Sequence, residues 1–246
     1  MTEINYGWTE EVSETDEFLT ETIFIDETAE KQTKDGPELA SRHDIQIMRR
    51  LFHMFNGFSI ATLYLVSFSH SQMVHFLGTI ACALYLVEQV RVNYPETAAK
   101  LLPFTKFIIR AEEQLKESAM VPFCMAVLFT IVVFPKHIAL IGIYSLGFAD
   151  PLSAIIGIRF GKHKISPTRS YEGSAAFFVS VFLISLFILT GYNGSFDLTV
   201  FFVSLLGAVI CALFEIVPLK LDDNLTIPLF TAATFWIILS IFGVYI

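Results

Sequence analysis

Cysteine is scarce in this sequence and charged residues are few, and both shortages narrow the class of protein. Cys82, Cys124 and Cys211 lie in apolar segments without metal-site spacing, so we predict packing residues and no disulfide framework. Charged residues make up 16% of the chain, whereas 54% is hydrophobic, with 25 Phe and a mean hydropathy of +0.62. This composition excludes an ordinary soluble domain and predicts an all-α, multi-pass membrane protein.

The N-terminal stretch also lacks features that would place it in a membrane. It has no basic region followed by an apolar one, so no signal peptide is expected. Residues 1–38 carry 12 Asp and Glu against two Lys and contain no long apolar run. We predict that residues 1–44 form an acidic, disordered cytoplasmic tail and that residues 45–246 form a membrane-embedded domain.

Seven apolar segments follow this tail, each near the roughly 20 residues that a helix needs to cross the hydrocarbon layer. They cover approximately residues 51–69, 72–90, 119–135, 137–158, 174–190, 196–216 and 226–246. The stretch Lys100 to Lys116 mixes apolar and charged residues, and we interpret it as a helix lying on the membrane surface.

The basic residues predict the orientation of these segments. If the helices alternate, 15 of the 16 Lys and Arg fall on the N-terminal side and only Lys136 falls on the other. The N-terminus is therefore predicted to be cytoplasmic, in a bacterial inner membrane or an organelle membrane. Because the basic residues are committed to this membrane face, no nucleic acid partner is expected.

An ionisable residue, Asp150, lies inside the fourth apolar segment, where a charge is costly and indicates function. Asp is a strong N-cap and proline is favoured at the first helical position, so Asp150-Pro151 could end one half-helix and start another. The N-terminal end of the second half-helix would favour an anion. The alternative is a purely structural kink.

Other polar residues are expected at the same cytoplasmic face as Asp150. A basic run follows it, suited either to phosphate binding or to simple anchoring at the membrane; it comprises Arg159, Lys162, Lys164 and Arg169. Further polar residues close or open the neighbouring segments at this face, namely His53, Glu88, Glu172, Glu215, Asp222, Asp223 and Asn224. This gathering predicts a site where a charged, water-soluble substrate meets a lipid.

Four short motifs lie in the apolar part of the chain. The run from Ala149 reads Ala-Asp-Pro-x-x-Ala-x-x-Gly-x-Arg-Phe-Gly, and Ser170 begins Ser-Tyr-Glu-Gly-Ser. Arg49 begins Arg-Arg-Leu-Phe-His-Met-x-Asn-Gly, and Glu215 precedes an Asp-Asp-Asn-Leu-Thr-Ile-Pro run. Together these motifs resemble the polyprenol kinase family of dolichol kinases, phytol kinases and CTP-dependent diacylglycerol kinases. Members of that family commonly have Gly-Asp where this chain has Ala149-Asp150, and Lys where it has Arg169. The resemblance covers roughly residues 45–246.

The resemblance implies a lipid kinase that transfers the γ-phosphoryl group of CTP, or of another nucleoside triphosphate, to the hydroxyl of a membrane lipid alcohol with Mg²⁺ as cofactor. Asp150, with Asp222 or Asp223, would hold the metal. The implied nucleotide-binding residues are Arg159, Gly161, Lys162, Lys164, Arg169, Gly173 and Asn224.

The resemblance leaves the proton acceptor open. Glu172 or Glu215 would orient a basic residue or take the hydroxyl proton, and His53 is a further candidate for that base. Glu172 could instead only complement a helix N-terminus, and Asp222 or Asp223 could only cap the last helix.

Two other functions are compatible with parts of this pattern. A phosphatidate cytidylyltransferase would also need metal-binding carboxylates and basic residues at the cytoplasmic face, and would release pyrophosphate. A membrane transporter would place its binding groups near the bilayer midplane and often contains internal repeats. The polar residues here lie toward one face and no repeat is evident, so the transporter is the weaker alternative.

Overall fold

The computed structural model describes residues 42–94, 96, 120–166, 169–217 and 223–243. The predictions for residues 1–41, for the surface helix at Lys100 to Lys116 and for Asp222 lie outside these ranges. From Ile47 onward the described helices belong to one compact unit.

The regular structure within the described ranges is helical. Eight α-helices and one π-helical turn, Ser145–Ala149, follow one another along the chain. The α-helices are α1 (Arg42–Val66), α2 (His70–Asn93), α3 (Met120–Val133), α4 (Lys136–Tyr144), α5 (Asp150–Arg159), α6 (Tyr171–Asn193), α7 (Leu198–Ile216) and α8 (Asp223–Ile241).

Each predicted apolar segment overlaps a helix, and the all-α class is confirmed. Five helical stretches are long and apolar enough to cross a membrane, while Val121–Val133 is shorter. The five are His70–Asn93, Lys136–Arg159, Tyr171–Asn193, Leu198–Ile216 and Asp223–Ile241. A count of seven crossings remains a prediction, because α1 and α3 do not meet these criteria of length and composition.

The prediction that Asp150 caps a separate half-helix is wrong. Helix α4, the π turn and α5 form one continuous span, and Asp150 has helical backbone angles, with φ −64° and ψ −51°. Its backbone N–H donates to the carbonyl of Ser145, five residues earlier. In a regular α-helix the Pro151 ring would clash with the carbonyl four residues before it, and the wider π turn relieves this clash without ending the helix.

The Lys136–Arg159 span is the central helix of the fold. It is the most buried of the five candidate spans, with 72% of its apolar window enclosed by protein. Helix α5 packs against α6, α4 packs against α8, and α6 packs against α7. This central position places Asp150 among several helices instead of facing lipid on one side.

Candidate active site

A network of charged groups, ranging from the buried Glu215 to the exposed Asp223, lies where α6, α7 and α8 meet the loop that precedes α6. Its centre is Arg169, whose guanidinium donates through Nη1 to Oε1 of Glu215 and through Nη2 to Oδ2 of Asp223, the latter at 2.9 Å. The guanidinium fork therefore joins the last turn of α7 to the first turn of α8.

Glu215 is held at both of its carboxylate oxygens. Its side chain is only 3% exposed, and Oε2 accepts a hydrogen bond of 2.9 Å from the hydroxyl of Ser174 on α6. A buried carboxylate is costly unless it is paired and hydrogen-bonded, and Arg169 and Ser174 together meet that requirement. Glu215 thus holds the arginine in place while its own oxygens are occupied.

Asp150 interacts electrostatically with this network. The charges acting on its carboxylate come from Asp223, Arg169, Arg50 and Glu215. The site therefore combines three carboxylates with two guanidinium groups, which leaves a residual negative charge. These groups come from α1, α5, α7, α8 and the loop before α6, so the tertiary fold is what brings them together.

Two short features of the 160–170 loop position Arg169. The backbone folds back on itself, with Ile165 N–H donating to the Arg169 carbonyl at 3.0 Å and Tyr171 N–H donating to the His163 carbonyl at 3.0 Å. Ser170 then caps α6, because its hydroxyl accepts from the Gly173 N–H at 3.2 Å.

Glycine is required where this loop meets α5 and α6. A Cβ on Gly161 would lie 2.2 Å from the carbonyl oxygen of Gly157 and 2.6 Å from Oγ of Ser170. A Cβ on Gly173 would lie 2.9 Å from the carbonyl oxygen of Ser153. The glycines predicted to approach the nucleotide therefore have a packing role in this structure, since they let the loop and α6 lie directly against α5.

Glu172 belongs to a separate contact on the other side of the loop. Its carboxylate accepts from the ring Nδ1 of His163 at 2.8 Å and from the His163 backbone N–H at 3.2 Å. Because Glu172 lies in the first turn of α6, it also complements the positive end of that helix. It fastens the loop to α6 and lies outside the Arg169 network.

The remaining predicted site residues are distributed around the network. Arg159, Lys162 and Lys164 are exposed at the end of α5 and in the loop, and Lys164 Nζ donates to the Gly157 carbonyl at 3.4 Å. Asn224 follows Asp223 in α8.

Two further predicted residues lie on the first helices. His53 lies on α1, with its ring 4.8 Å from that of Phe123 in an edge-on contact. Glu88 forms a buried ion pair with Arg91 at 2.5 Å on α2, within a single helix.

The donor set suits a cation that is shared with a bound substrate. Within the described ranges, no three His, Cys, Asp or Glu side chains are grouped closely enough to enclose a metal ion by themselves. Mg²⁺ is commonly bound by one or two carboxylates together with the phosphates of a substrate. Asp150 and Asp223, which act on each other electrostatically at the edge of a cluster with excess negative charge, fit that pattern.

Sequence reasoning did not assign a role to Ser174 or Arg50. Arg50 lies in the motif that begins at Arg49, and Ser174 lies in the motif that begins at Ser170. Their place in these motifs was the only indication in the sequence that they belong to the site. Ser174 donates to Glu215, 41 residues away, and the charge of Arg50 acts on Asp150, 100 residues away, so only the fold reveals these interactions.

Comparison with known proteins places the chain among lipid kinases. It is 25% identical to CTP-dependent diacylglycerol kinase 1 of Saccharomyces cerevisiae over 215 residues, covering 79% of this chain and 73% of the yeast protein. It is 30% identical to an uncharacterized protein of Rickettsia prowazekii over 192 residues, covering 76% and 91% of the two chains. A segment of 92 residues is 39% identical to the dolichol kinase sec59 of Schizosaccharomyces pombe, covering 37% and 18%.

No family model and no solved structure matches the chain. The five long apolar helices, together with the membrane-lipid kinases among its relatives, identify an integral membrane protein. The names of these relatives agree with the family that the motifs around Asp150 and Arg169 resemble. The chain belongs to the polyprenol kinase family of membrane lipid kinases.

Proposed function

We propose that this protein transfers the γ-phosphoryl group of CTP to the hydroxyl of a membrane lipid alcohol at the cytoplasmic face of a membrane. The observation that carries the proposal is the network in which Arg169 joins Glu215 and Asp223 beside Asp150. The names of the relatives support both the donor and the class of acceptor.

The chemistry needs positioning and charge neutralisation more than it needs a covalent intermediate. The lipid hydroxyl oxygen bonds to the γ-phosphorus, the bond from that phosphorus to the β–γ bridging oxygen breaks, and CDP leaves. The site offers two guanidinium groups, Arg50 and Arg169, for phosphate oxygens and two carboxylates, Asp150 and Asp223, for the metal. When bound, Mg²⁺ would neutralise phosphate charge.

We assign Glu215 and Ser174 to the positioning of Arg169. Both oxygens of Glu215 already accept hydrogen bonds from Arg169 and Ser174, and the Glu172 carboxylate accepts from His163, so we assign both carboxylates to positioning. His53 then becomes the candidate proton acceptor. It lies three residues after Arg50 on α1, so the two side chains are neighbours on the surface of that helix.

The exposed basic residues have a different task in this scheme. Arg159, Lys162 and Lys164 would attract the triphosphate from the cytosol and contact its outer oxygens, while the partly buried Arg169 would contact a phosphate oxygen inside the site. Asn224, next to Asp223, would contact the nucleotide. Diacylglycerol, dolichol or another polyprenol, and phytol all fit the acceptor class, because each has one hydroxyl on an apolar chain.

The experiment that tests this function is product analysis with purified protein in lipid vesicles. CTP, ATP, UTP or GTP would be supplied with Mg²⁺ and with diacylglycerol, dolichol or phytol in turn. We expect CDP and a lipid monophosphate in equal amounts, with CTP as the preferred donor. Formation of pyrophosphate and a CDP-lipid from phosphatidate would instead identify a cytidylyltransferase and contradict the proposal.

A further inference from the structure

Helix α1 is fastened alongside the central span at the end opposite the active site. Lys136, at the start of α4, donates from Nζ to the carbonyl oxygens of Leu65 at 3.3 Å and Phe68 at 2.7 Å. These acceptors are at and just beyond the C-terminus of α1, where carbonyls lack partners within the helix. Farther along, the hydroxyls of Thr62 and Tyr144 lie 3.0 Å apart.

The two helices then touch backbone to backbone at Gly57 and Gly147. A Cβ on Gly57 would lie 2.4 Å from Cα of Gly147, and a Cβ on Gly147 would lie 2.6 Å from the carbonyl carbon of Gly57. Ordinary contacts of a Cβ begin near 3.4 Å. Any side chain at either position would therefore force the helices about 1 Å apart, because neither backbone can move aside like a flexible side chain.

These contacts fix an antiparallel register that leads to Asp150. As the central span advances from Lys136 through Tyr144 to Gly147, its partners on α1 recede from Leu65 through Thr62 to Gly57. Three residues after Gly147 comes Asp150, and the same register brings the N-terminal part of α1 toward it.

Arg50 lies on the face of α1 that makes the glycine contact. It precedes Gly57 by seven residues, or two helical turns, and so shares its face. Ala61 and Tyr64 continue this face and are fully buried. The charge of Arg50 acts on Asp150, in agreement with the register.

We propose that Gly57 and Gly147 are positioning residues whose backbone contact holds Arg50 beside Asp150. In the absence of substrate the guanidinium balances the carboxylate. The consequence for catalysis, which rests on the proposed kinase function, is that the contact keeps a guanidinium at the place where the phosphates bind. Separation of the helices by about 1 Å would then lower the rate of phosphoryl transfer, although no charged group is removed.

The first test is a double-mutant cycle on the rate of phosphoryl transfer. Gly57→Ala is expected to lower kcat about 10- to 100-fold. The matched control is Gly78→Ala on α2, where a Cβ would meet nothing within 4 Å. If the contact acts through Arg50, then Arg50→Gln will lower kcat in the wild-type background and have much less effect in the Gly57→Ala background. Equal effects of Arg50→Gln in both backgrounds would overturn the proposal.

The second test does not depend on enzymatic activity. The melting temperature of the purified protein would be measured for Arg50→Gln, Asp150→Asn and their combination. We expect the two changes to be non-additive in wild type and in Gly78→Ala, but additive in Gly57→Ala. Additivity in the wild type, or coupling that survives Gly57→Ala, would overturn the positioning role. A wild type that transfers no phosphate but shows this coupling would refute the proposed function alone.

A third measurement covers the case in which Gly57→Ala does not fold. With both glycines retained and the native cysteines replaced by alanine, Arg50→Cys and Asp150→Cys would be combined and treated with a short thiol cross-linker. We expect an intramolecular cross-link between α1 and α5. Failure to cross-link in folded protein, with each single cysteine still reacting with the reagent, would overturn the juxtaposition.

Discussion

The position of the arginine at the centre of the site depends on uncharged as well as charged neighbours. Arg169 donates to two carboxylates, but Glu215 can serve as a fixed acceptor only because Ser174 donates to its other oxygen. Arg169 is one of the residues that bind phosphate in the proposed reaction, so we expect the hydroxyl of Ser174 to influence nucleotide affinity without touching the nucleotide.

The role of this hydroxyl is tested by Ser174→Ala. The change leaves a buried carboxylate oxygen without its donor, at a cost of about 1–3 kcal/mol. We expect a lower melting temperature and an increase of about tenfold in the KM for CTP, because Arg169 is less firmly held. Enzyme kinetics and thermal denaturation of the same preparation measure both effects.

Ser180→Ala is the matched control. Ser180 is also buried on α6, but its hydroxyl donates at 2.8 Å to the Ala176 carbonyl of its own helix. We expect the KM for CTP to stay at the wild-type value. If Ser174→Ala and Ser180→Ala alter the KM equally, the serine has no role in holding the arginine.

At the scale of helices, hydrophobicity predicted where the helices lie, whereas local capping rules wrongly predicted a helix break. The long apolar runs predicted the positions of the helices because burial and the lack of water in a bilayer both require saturated backbone hydrogen bonds. The Asp150-Pro151 pair suggested a break, whereas the π turn lets the helix continue. Local sequence does not reveal this outcome, because the continuous helix is stabilised by packing against α6 and α8.

Lys136 joins two helices in a way that the sequence did not predict. The count of basic residues identified it as the exception to the predicted orientation. The structure gives it a specific role, since its ammonium group binds two carbonyls at the end of α1 and lies 5.1 Å from the centre of the Tyr64 ring.

The contribution of the Lys136 hydrogen bonds to stability is tested by Lys136→Met, which keeps much of the side-chain length and removes the donors. We expect the protein to lose about 1–3 kcal/mol of stability, because hydrogen bonds from a charged donor to helix-end carbonyls are lost. Thermal denaturation in detergent measures the loss, with Lys136→Arg as the charge-retaining comparison. A melting temperature of Lys136→Met equal to that of wild type would contradict a stabilising role for these hydrogen bonds.

On the scale of the whole molecule, the asymmetric distribution of basic residues predicts which end faces the cytosol. The active-site network and the exposed loop at Lys162 lie at one end of the central span, and Lys136 lies at the other. The motifs contain most residues of the candidate site. The pairings within it could not be predicted, because they join residues from helices that are distant in sequence.

Labelling of single cysteines tests this orientation. In a protein whose native cysteines are replaced, Lys162→Cys and Ser195→Cys would each present an exposed thiol at opposite ends of α6. A membrane-impermeant maleimide applied to intact cells that carry the protein in the bacterial inner membrane or the plasma membrane should reach only the side predicted to be non-cytoplasmic. We expect labelling of Ser195→Cys in the intact compartment and of Lys162→Cys only after permeabilisation. The reverse pattern would contradict the predicted topology.

The most direct test of the central claim follows γ-labelled CTP into lipid for wild type, Asp150→Asn and Asp197→Asn. Asp197 caps α7 at the other end of the molecule, and asparagine preserves such a cap, so this variant should match wild type. Asp150→Asn keeps the side-chain shape and removes the carboxylate charge, and we expect it to lower label transfer at least about 100-fold. Retention of full transfer by folded Asp150→Asn would show that this carboxylate is structural and would contradict the account.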